Sequence, residues 1–115
     1  MTNLFRSILV PHDFSEHATR ALRVAADLAA RHRGRLLVLH AITPFNPVSG
    51  FPAGETVVWI PPPDLITHEQ KRLEALVART VRGRRAPRVR VKVVIGDPHQ
   101  CILEAARGVG AIVMA

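Results

Sequence analysis

The chain of 115 residues contains one cysteine, no tyrosine and no apolar run long enough to cross a bilayer. The lone cysteine, Cys101, excludes an intrachain disulfide and a cysteine-cluster metal site, and rare cysteine is typical of a reducing compartment. A membrane-spanning helix needs about 20 predominantly apolar residues. Residues 1–6 also lack the basic-then-apolar pattern of a signal peptide. We therefore expect a cytoplasmic protein with no membrane partner.

Lysine is also rare, although the chain is basic. The formal net charge is +7, and among 16 basic residues the lysines are Lys71 and Lys92. Such a charge favours polyanions, but the arginines are spread over predicted helix faces and one loop. A compositional bias explains them, so nucleic acid is not an expected partner. A weaker alternative takes Arg79–Lys92 as a patch for polyanions.

The stretch Ser7–Ser15 joins a short apolar run to polar side chains that suit a ligand site. Ile8-Leu9-Val10 predicts a buried strand that ends at Pro11, and Asp13 places a carboxylate just beyond that end. Ser15 is a good N-cap for a following helix. In open α/β sheets, ligands bind outside the carboxyl ends of the strands, where the strand order reverses. This loop is therefore the predicted floor of any site.

The next two segments complete a β-α-β unit. Glu16–His32 predicts a helix with its apolar residues at i, i+3, i+4 and i+7, and Gly34 stands where a C′ glycine belongs. Arg35–Ile42 is a near-continuous apolar run, typical of strands buried on both faces of a parallel sheet. The apolar helix positions are Ala18, Ala21, Leu22, Ala25, Leu28 and Ala29.

Residues 43–63 are rich in proline and glycine, which predicts a long loop. Loops of this length are usually functional or mobile. Trp59 is expected to bury this loop against the body rather than to cover a ligand. Asp64 then predicts the N-cap of a second helix that runs to about Arg82 and is closed by Gly83.

The last third of the chain repeats the strand-turn-helix pattern. Val89–Ile95 alternates at first and then becomes wholly apolar, which predicts a strand at a sheet edge. Gly96-Asp97-Pro98 predicts a tight turn into a third helix that runs to about Arg107, with the aspartate as its cap. Ala111–Ala115 predicts a fourth, buried strand. The whole order predicts an α/β fold with a Rossmann-like, doubly wound parallel sheet.

Four segments together resemble the universal stress protein family of nucleotide-binding α/β proteins. Their order and separation match that family along the whole chain, residues 1–115, taken as a single domain that includes the variable loop 43–63. The segments are Ile8-Leu9-Val10-Pro11-His12-Asp13-Phe14-Ser15, Leu37-Val38-Leu39-His40-Ala41-Ile42, Gly96-Asp97-Pro98 with Ile102 after it, and Ala111-Ile112-Val113-Met114-Ala115.

The resemblance implies a sheet in the strand order 3-2-1-4-5, a homodimer and, in one branch of the family, ATP binding. Members that bind ATP hold adenine and ribose between the loop after the first strand and the end of the second strand. A carboxylate at Asp13 suits ribose hydroxyls, and backbone groups near Ala41 suit the adenine edge. The predicted nucleotide-contacting residues are Pro11, His12, Asp13, Ala41, Gly96, Met114 and Ala115.

The sequence departs from the family pattern at its carboxyl end. In the family, the phosphates, with Mg²⁺ or Mn²⁺ in some cases, lie on a glycine-rich loop after the fourth strand, where backbone N–H groups bind them. The sequence stops at Ala115, where that loop would start. Either the domain is truncated or a carboxyl-terminal tail lies beyond the given sequence. For the chain as given we expect strand order 3-2-1-4, no fifth strand, and weakened or lost binding of the phosphates of ATP.

Other candidate sites have simpler explanations. His12 is placed to approach a bound phosphate, whereas His40, within the second strand, is expected to be a hydrogen-bonded structural group. No set of histidines has metal-ligand spacing, so we expect no metal site in the protein itself. No nucleophile with a base and an orienting partner is visible, so we expect no enzyme beyond slow ATP hydrolysis of the kind known in some family members. Asp97 is explained as a helix cap.

Two functions from different classes follow from the resemblance. The first is an ATP-binding stress-response or signalling module that acts as a dimer. The alternative is a nucleotide-independent dimeric protein that acts through protein contacts, as in the branch of the family that does not bind ATP.

Overall fold

A four-stranded parallel sheet forms the centre of the computed structural model, which describes residues 3–44 and 59–115. The spatial order of the strands is β3-β2-β1-β4, which confirms the predicted α/β fold and the order 3-2-1-4. The segment predicted as a long loop, 43–63, lies mostly outside the described residues. The strands are β1 (Ser7–Pro11), β2 (Arg35–Ile42), β3 (Arg88–Ile95) and β4 (Ala111–Ile112), and the helices are α1 (Glu16–Arg31), α2 (Leu65–Thr80) and α3 (Pro98–Ala105), after a 3-10 turn at Leu4–Arg6.

The main core lies between one face of this sheet and the helices α1 and α2. In a parallel sheet, residues in register point their side chains to the same face, and the direction alternates along each strand. Ile8 and Val10 of β1 therefore lie beside Leu36 and Val38 of β2. The alanines of α1 let its backbone approach the sheet closely. The core residues are Ile8, Val10, Leu22, Ala25, Ala29, Leu36, Val38, Leu73, Val77 and Val93.

Helix α3 lies on the other face of the sheet. The connection from β3 to β4 passes over β2 and β1, and right-handed crossovers place its helix opposite α1 and α2. Leu9 and Leu39, which point to that face, are buried. After β1, the chain adds β2 and β3 on one side of β1 and then returns to place β4 on its other side. The strand order therefore reverses beside the carboxyl end of β1.

Helix α1 begins as predicted and ends differently. The Ser15 hydroxyl accepts a hydrogen bond from Ala18 N at 3.0 Å, which confirms the cap. The prediction that Gly34 is the left-handed C′ residue is wrong, because Arg33 takes that position with φ of 54°. Gly34 is one residue later, where its N–H bonds to Ala29 O at 2.7 Å. Glycine suits Gly34 because a Cβ there would collide with the carbonyl oxygen of Phe5.

Three other predicted boundaries need correction. Asp64 precedes α2 but makes no capping hydrogen bond, because its φ and ψ of −102° and 7° lie outside the extended region that a capping side chain requires. That helix ends at Thr80, since Val81 is already extended. Helix α3 ends at Ala105, before the predicted Arg107.

The fourth strand is also shorter and more open than predicted. The strand β4 covers Ala111–Ile112 rather than Ala111–Ala115, and its pairing continues with one further hydrogen bond, from Val113 N to Leu9 O. The expectation that it is buried is wrong, because Ile112 and Met114 are 42% and 56% exposed. Its place at the edge of the sheet, with a neighbour on one side, accounts for this exposure.

Within residues 3–44 and 59–115, no helix is both long and apolar enough to span a membrane.

Candidate functional site

A cleft of about 920 Å³ opens at the carboxyl ends of β1 and β2. Its walls come from the loop after β1, the first turn of α1, the last residues of β2, the start of α3 and the residues after β4. This is the position where the strand order reverses, which is where open α/β sheets bind their ligands. The volume falls in the range of small-molecule and cofactor sites, about 300 to 1,000 Å³.

The loop after β1 is held by its own side chains. The N–H of Ser15 donates to Asp13 Oδ1 at 2.9 Å, and the N–H of Phe14 donates to His12 Nδ1 at 2.9 Å. Phe14 has φ of 67°, in the left-handed region that bulky side chains rarely adopt. Strand β1 ends at Pro11. The next residue, His12, still pairs with β2, because its N–H bonds to Leu39 O at 2.8 Å. The chain therefore leaves the sheet and turns sharply into α1.

His12 is buried, with 3% of its surface exposed. Its ring contacts Thr19 Oγ1 through Nε2 at 3.2 Å, and its backbone oxygen lies 2.7 Å from His40 Nδ1. The second contact confirms that His40 is a hydrogen-bonded structural group. Burial lowers the pKa of His12 below its ordinary value, and nearby His40 adds to this, while the charge of Asp13 opposes it. His12 is therefore neutral at physiological pH.

Asp13 has the opposite character, because its side chain is exposed at the mouth of the cleft. Hydrogen bonds from Ser15 lower the pKa of Asp13, so the carboxylate is ionised at neutral pH. Oδ1 accepts the bond from Ser15 N, and the Ser15 hydroxyl lies near the same carboxylate. Asp13 thus brings an ionised acceptor to the lining of the cleft.

The end of β2 offers backbone groups on the same side. Leu39 O bonds toward β1, whereas Ile42 O bonds toward β3 through Gly96 N at 3.0 Å. Since peptide groups alternate along a strand, Ala41 turns its N–H and C=O toward the β1 side, beyond the last paired residue of β1. No backbone hydrogen bond to Ala41 on that side occurs within residues 3–44 and 59–115. Ala41 therefore presents one donor and one acceptor side by side.

The predicted residues come together with one exception. Gly96 does not line the cleft. It directly follows the end of β3, and its N–H bonds to Ile42 O. A Cβ at Gly96 would lie 3.0 Å from Cys101 Sγ. Their assignment to nucleotide contacts remains a prediction. The predicted residues that line the cleft are Pro11, His12, Asp13, Ala41, Met114 and Ala115.

The structure adds lining residues that the sequence analysis did not name as site residues. Pro98 and Ile102 come from one face of α3, and their spacing of four residues is a signal that could have indicated this. The first turn of α1 and the end of β2 supply the others, which follow from the register of the strands once the topology is known. These additional residues are Ser15, His17, Ala18, Leu39, His40, Ile42 and Thr43.

The described lining of the cleft includes three histidines but neither a metal-binding cluster nor a lysine or arginine. Within the described residues, no group of three or more His, Cys, Asp or Glu side chains could hold a metal ion. No lysine or arginine of the described part of the chain lines the cleft. Asp13 supplies an ionised acceptor to this cleft, and Ala41 supplies a backbone donor and acceptor.

The fold and cleft define a parallel α/β protein with a ligand site at the reversal of its strand order, and three comparisons identify its relatives. The family model described as "Universal stress protein family" matches residues 4–115. The "Universal stress protein in QAH/OAS sulfhydrylase 3′region" of Thermus aquaticus is 33% identical over 105 residues, which cover 91% of this chain and 71% of that one.

Solved structures agree with this. A protein from the universal stress protein family of Burkholderia pseudomallei is 27% identical, with a TM-score of 0.68 over 100% of this chain and 84% of that one. A universal stress protein solved in complex with cAMP has the same fold, with 16% identity and a TM-score of 0.57 over 91% of this chain and 66% of that one. The chain belongs to the universal stress protein family.

Proposed function

We propose that the protein is an adenine-nucleotide-binding module of stress response or signalling that holds adenosine in the cleft at the carboxyl ends of β1 and β2. The observation that carries the proposal is that the ionised carboxylate of Asp13 and the peptide groups of Ala41 on its β1 side line the same cleft. An ionised carboxylate accepts hydrogen bonds from the two vicinal hydroxyls of a ribose. A neighbouring N–H and C=O match the acceptor N1 and the donor N6 amino group of adenine.

The apolar walls suit the rest of the nucleoside. The predominantly apolar lining contains Pro11, Leu39, Pro98, Ile102 and Met114, which can pack against the faces of a purine and a sugar. A universal stress protein with this fold has been solved with cAMP, which shares the adenine base. The proposal is therefore supported by the fold of a nucleotide-bound relative and by polar groups of this chain.

Support for binding of the nucleotide phosphates in this cleft is weaker. The lining lacks lysine and arginine in the described residues, so the cleft gains little from a triphosphate. If ATP binds, Mg²⁺ or Mn²⁺ would accompany its phosphates and reduce their charge. We propose binding rather than turnover, because no nucleophile with a base and an orienting partner has been assigned in the cleft. We further propose that the module acts as a dimer in the cytoplasm.

The test is calorimetric titration of the 115-residue protein with adenosine, ADP and ATP. Asp13→Asn keeps the acceptor for Ser15 N but removes the charge, so we expect affinity for all three to fall by about tenfold, the value of one hydrogen bond to a charged group. Asp97→Asn is the matched control, because that aspartate lies in the other strand-to-helix turn and caps α3. Asparagine is an equally good cap, so this variant should bind as the wild type does.

Equal affinity of the Asp13→Asn variant and the wild type would contradict the site assignment. If the wild type binds none of the three ligands and sediments as a dimer, the alternative function is favoured, in which the protein acts through protein contacts without a nucleotide.

A further inference from the structure

The two nitrogens of the buried His12 ring define a single tautomer. Nδ1 faces the N–H of Phe14 at 2.9 Å, and a peptide N–H can only donate, so Nδ1 is the unprotonated acceptor. The proton is then on Nε2, which faces Thr19 Oγ1 at 3.2 Å. The Thr19 hydroxyl donates onward to Ser15 O at 3.2 Å, which leaves its oxygen free to accept from Nε2. The assignment follows from the hydrogen-bond network.

The hydrogen bond from the Phe14 N–H to the His12 ring stabilises an unfavourable backbone conformation at Phe14. Phe14 has φ of 67°, which is disfavoured for a bulky residue and persists only where its surroundings compensate. Compensation comes from the bond to His12 Nδ1 and from the Phe14 ring, which packs on His40 at 4.6 Å and beneath the Arg72 guanidinium at 3.9 Å. Asp13 lies between His12 and Phe14, so its direction is fixed by the same turn.

A second proton on His12 is incompatible with this arrangement, because Nδ1–H would then face the N–H of Phe14. The charged or titratable groups around the ring are Asp13 on its own loop, His40 on β2, His17 on the first turn of α1 and Arg72 on α2. The lining residues of α3 and those after β4, which are Pro98, Ile102, Met114 and Ala115, have no titratable side chain. Burial lowers the pKa of His12 below the ordinary 6.5, which favours the neutral form that the network requires.

We infer that His12 is a positioning residue, in that its neutral imidazole latches the loop after β1 through the Phe14 N–H and so holds the Asp13 carboxylate at the cleft. Protonation of His12 releases this latch and weakens the binding of a ribose-containing ligand. The second statement rests on the proposed function, whereas the latch itself does not.

Two substitutions at His12 separate the effect of its hydrogen bond to the Phe14 N–H from the effect of its protonation. His12→Asn places an amide oxygen near the position of Nδ1, where it accepts the Phe14 N–H but does not titrate. His12→Leu fills the space without an acceptor. We expect His12→Asn to bind adenosine at pH 7.5 about three- to tenfold more tightly than His12→Leu, as expected for one hydrogen bond. Adenosine serves as the probe because it has no phosphate to titrate.

The pH profile from 7.5 down to the lowest pH at which the protein stays folded provides the readout that a merely structural role would not move. Wild-type affinity should fall toward acid pH as His12 takes up a proton. His12→Asn should lose less affinity over the same range, because its amide does not take up a proton. Parallel pH profiles in the wild type and in His12→Asn would overturn the role of protonation.

Nitrogen-15 NMR of the free protein tests the latch without any ligand. The expected spectrum shows His12 as the Nε2–H tautomer, with the Phe14 amide shifting as His12 titrates. An Nδ1–H tautomer would overturn the latch even if His12→Leu did not fold. If the spectrum is as expected and the wild type binds no adenosine, the proposed function fails alone. If Asp13→Asn weakens adenosine binding while folded His12→Leu does not, the positioning role fails alone.

Discussion

Two strand-to-helix turns lie at the same edge of the sheet and use their aspartates differently. In the turn after β3, Asp97 Oδ2 accepts a bond from Gln100 N at 3.1 Å and caps α3. In the turn after β1, capping falls to Ser15, and Asp13 lies two residues earlier. Each aspartate bonds through one oxygen within its own turn, but Asp13 lines the cleft and Asp97 does not.

The difference shows how a ligand site can be built on a turn. The turn after β1 contains extra residues between strand and cap, and these must be held in place by something other than the cap. His12 and the left-handed Phe14 do this, whereas the compact turn Gly96-Asp97 needs no buried polar group. A similar sequence pattern, with an aspartate after an apolar strand, therefore gives a cap in one case and a candidate ligand group in the other.

Alanine substitution of the two aspartates should give opposite results. Asp97→Ala removes the cap of α3, so we expect the free energy of unfolding to fall by about 0.5 to 2 kcal/mol, with adenosine affinity unchanged. Asp13→Ala should weaken adenosine and ATP binding alike, by about 10- to 100-fold, with a smaller loss of stability because Ser15 rather than Asp13 caps α1. Denaturant unfolding and calorimetry measure both quantities. Equal losses of affinity in the two variants would remove the distinction between the turns.

A smaller effect should follow from the backbone at Phe14. Both Phe14→Ala and Phe14→Gly lose the ring contacts with His40 and Arg72, but only glycine relieves the cost of φ at 67°. We expect the glycine variant to be more stable than the alanine variant by about 1 kcal/mol. Urea unfolding at pH 7.5 compares them directly. A more stable alanine variant would show that the turn is not left-handed in solution.

The sequence predicted the layers and the strand order because these follow from regular patterns. The apolar runs of β1, β2 and β3 indicate strands, and the helical spacing of apolar residues in α1 indicates a helix with one buried face. The same patterns predicted that the loop after β1 and the end of β2 would meet, because parallel strands end at one edge.

Two local predictions were wrong because they depend on backbone angles that the residue type alone does not determine. Gly34 was predicted as the left-handed residue after α1 because glycine adopts positive φ without cost, yet Arg33 adopts it and Gly34 is needed for the close approach of Phe5. At Asp64, residue type predicted a cap that the local backbone angles do not allow.

The role of His12 could not be predicted either. Its position beside Asp13 suggested a ligand contact, whereas both of its ring nitrogens bond to groups within the loop and α1. Burial of a polar ring and the direction of a φ angle depend on packing that a sequence pattern does not contain.

The most direct test of the account is nitrogen-15 chemical-shift mapping of the 115-residue protein during titration with adenosine. The account predicts saturable shifts at the amides of Asp13 and Ala41 and at the neighbouring start of α3, which line the cleft. Asp13→Asn should require about tenfold more adenosine for the same shifts. Shifts confined to the opposite end of the sheet, near Asn3 and His32, or none at any concentration reached, would contradict the claim that this cleft binds adenine nucleotides.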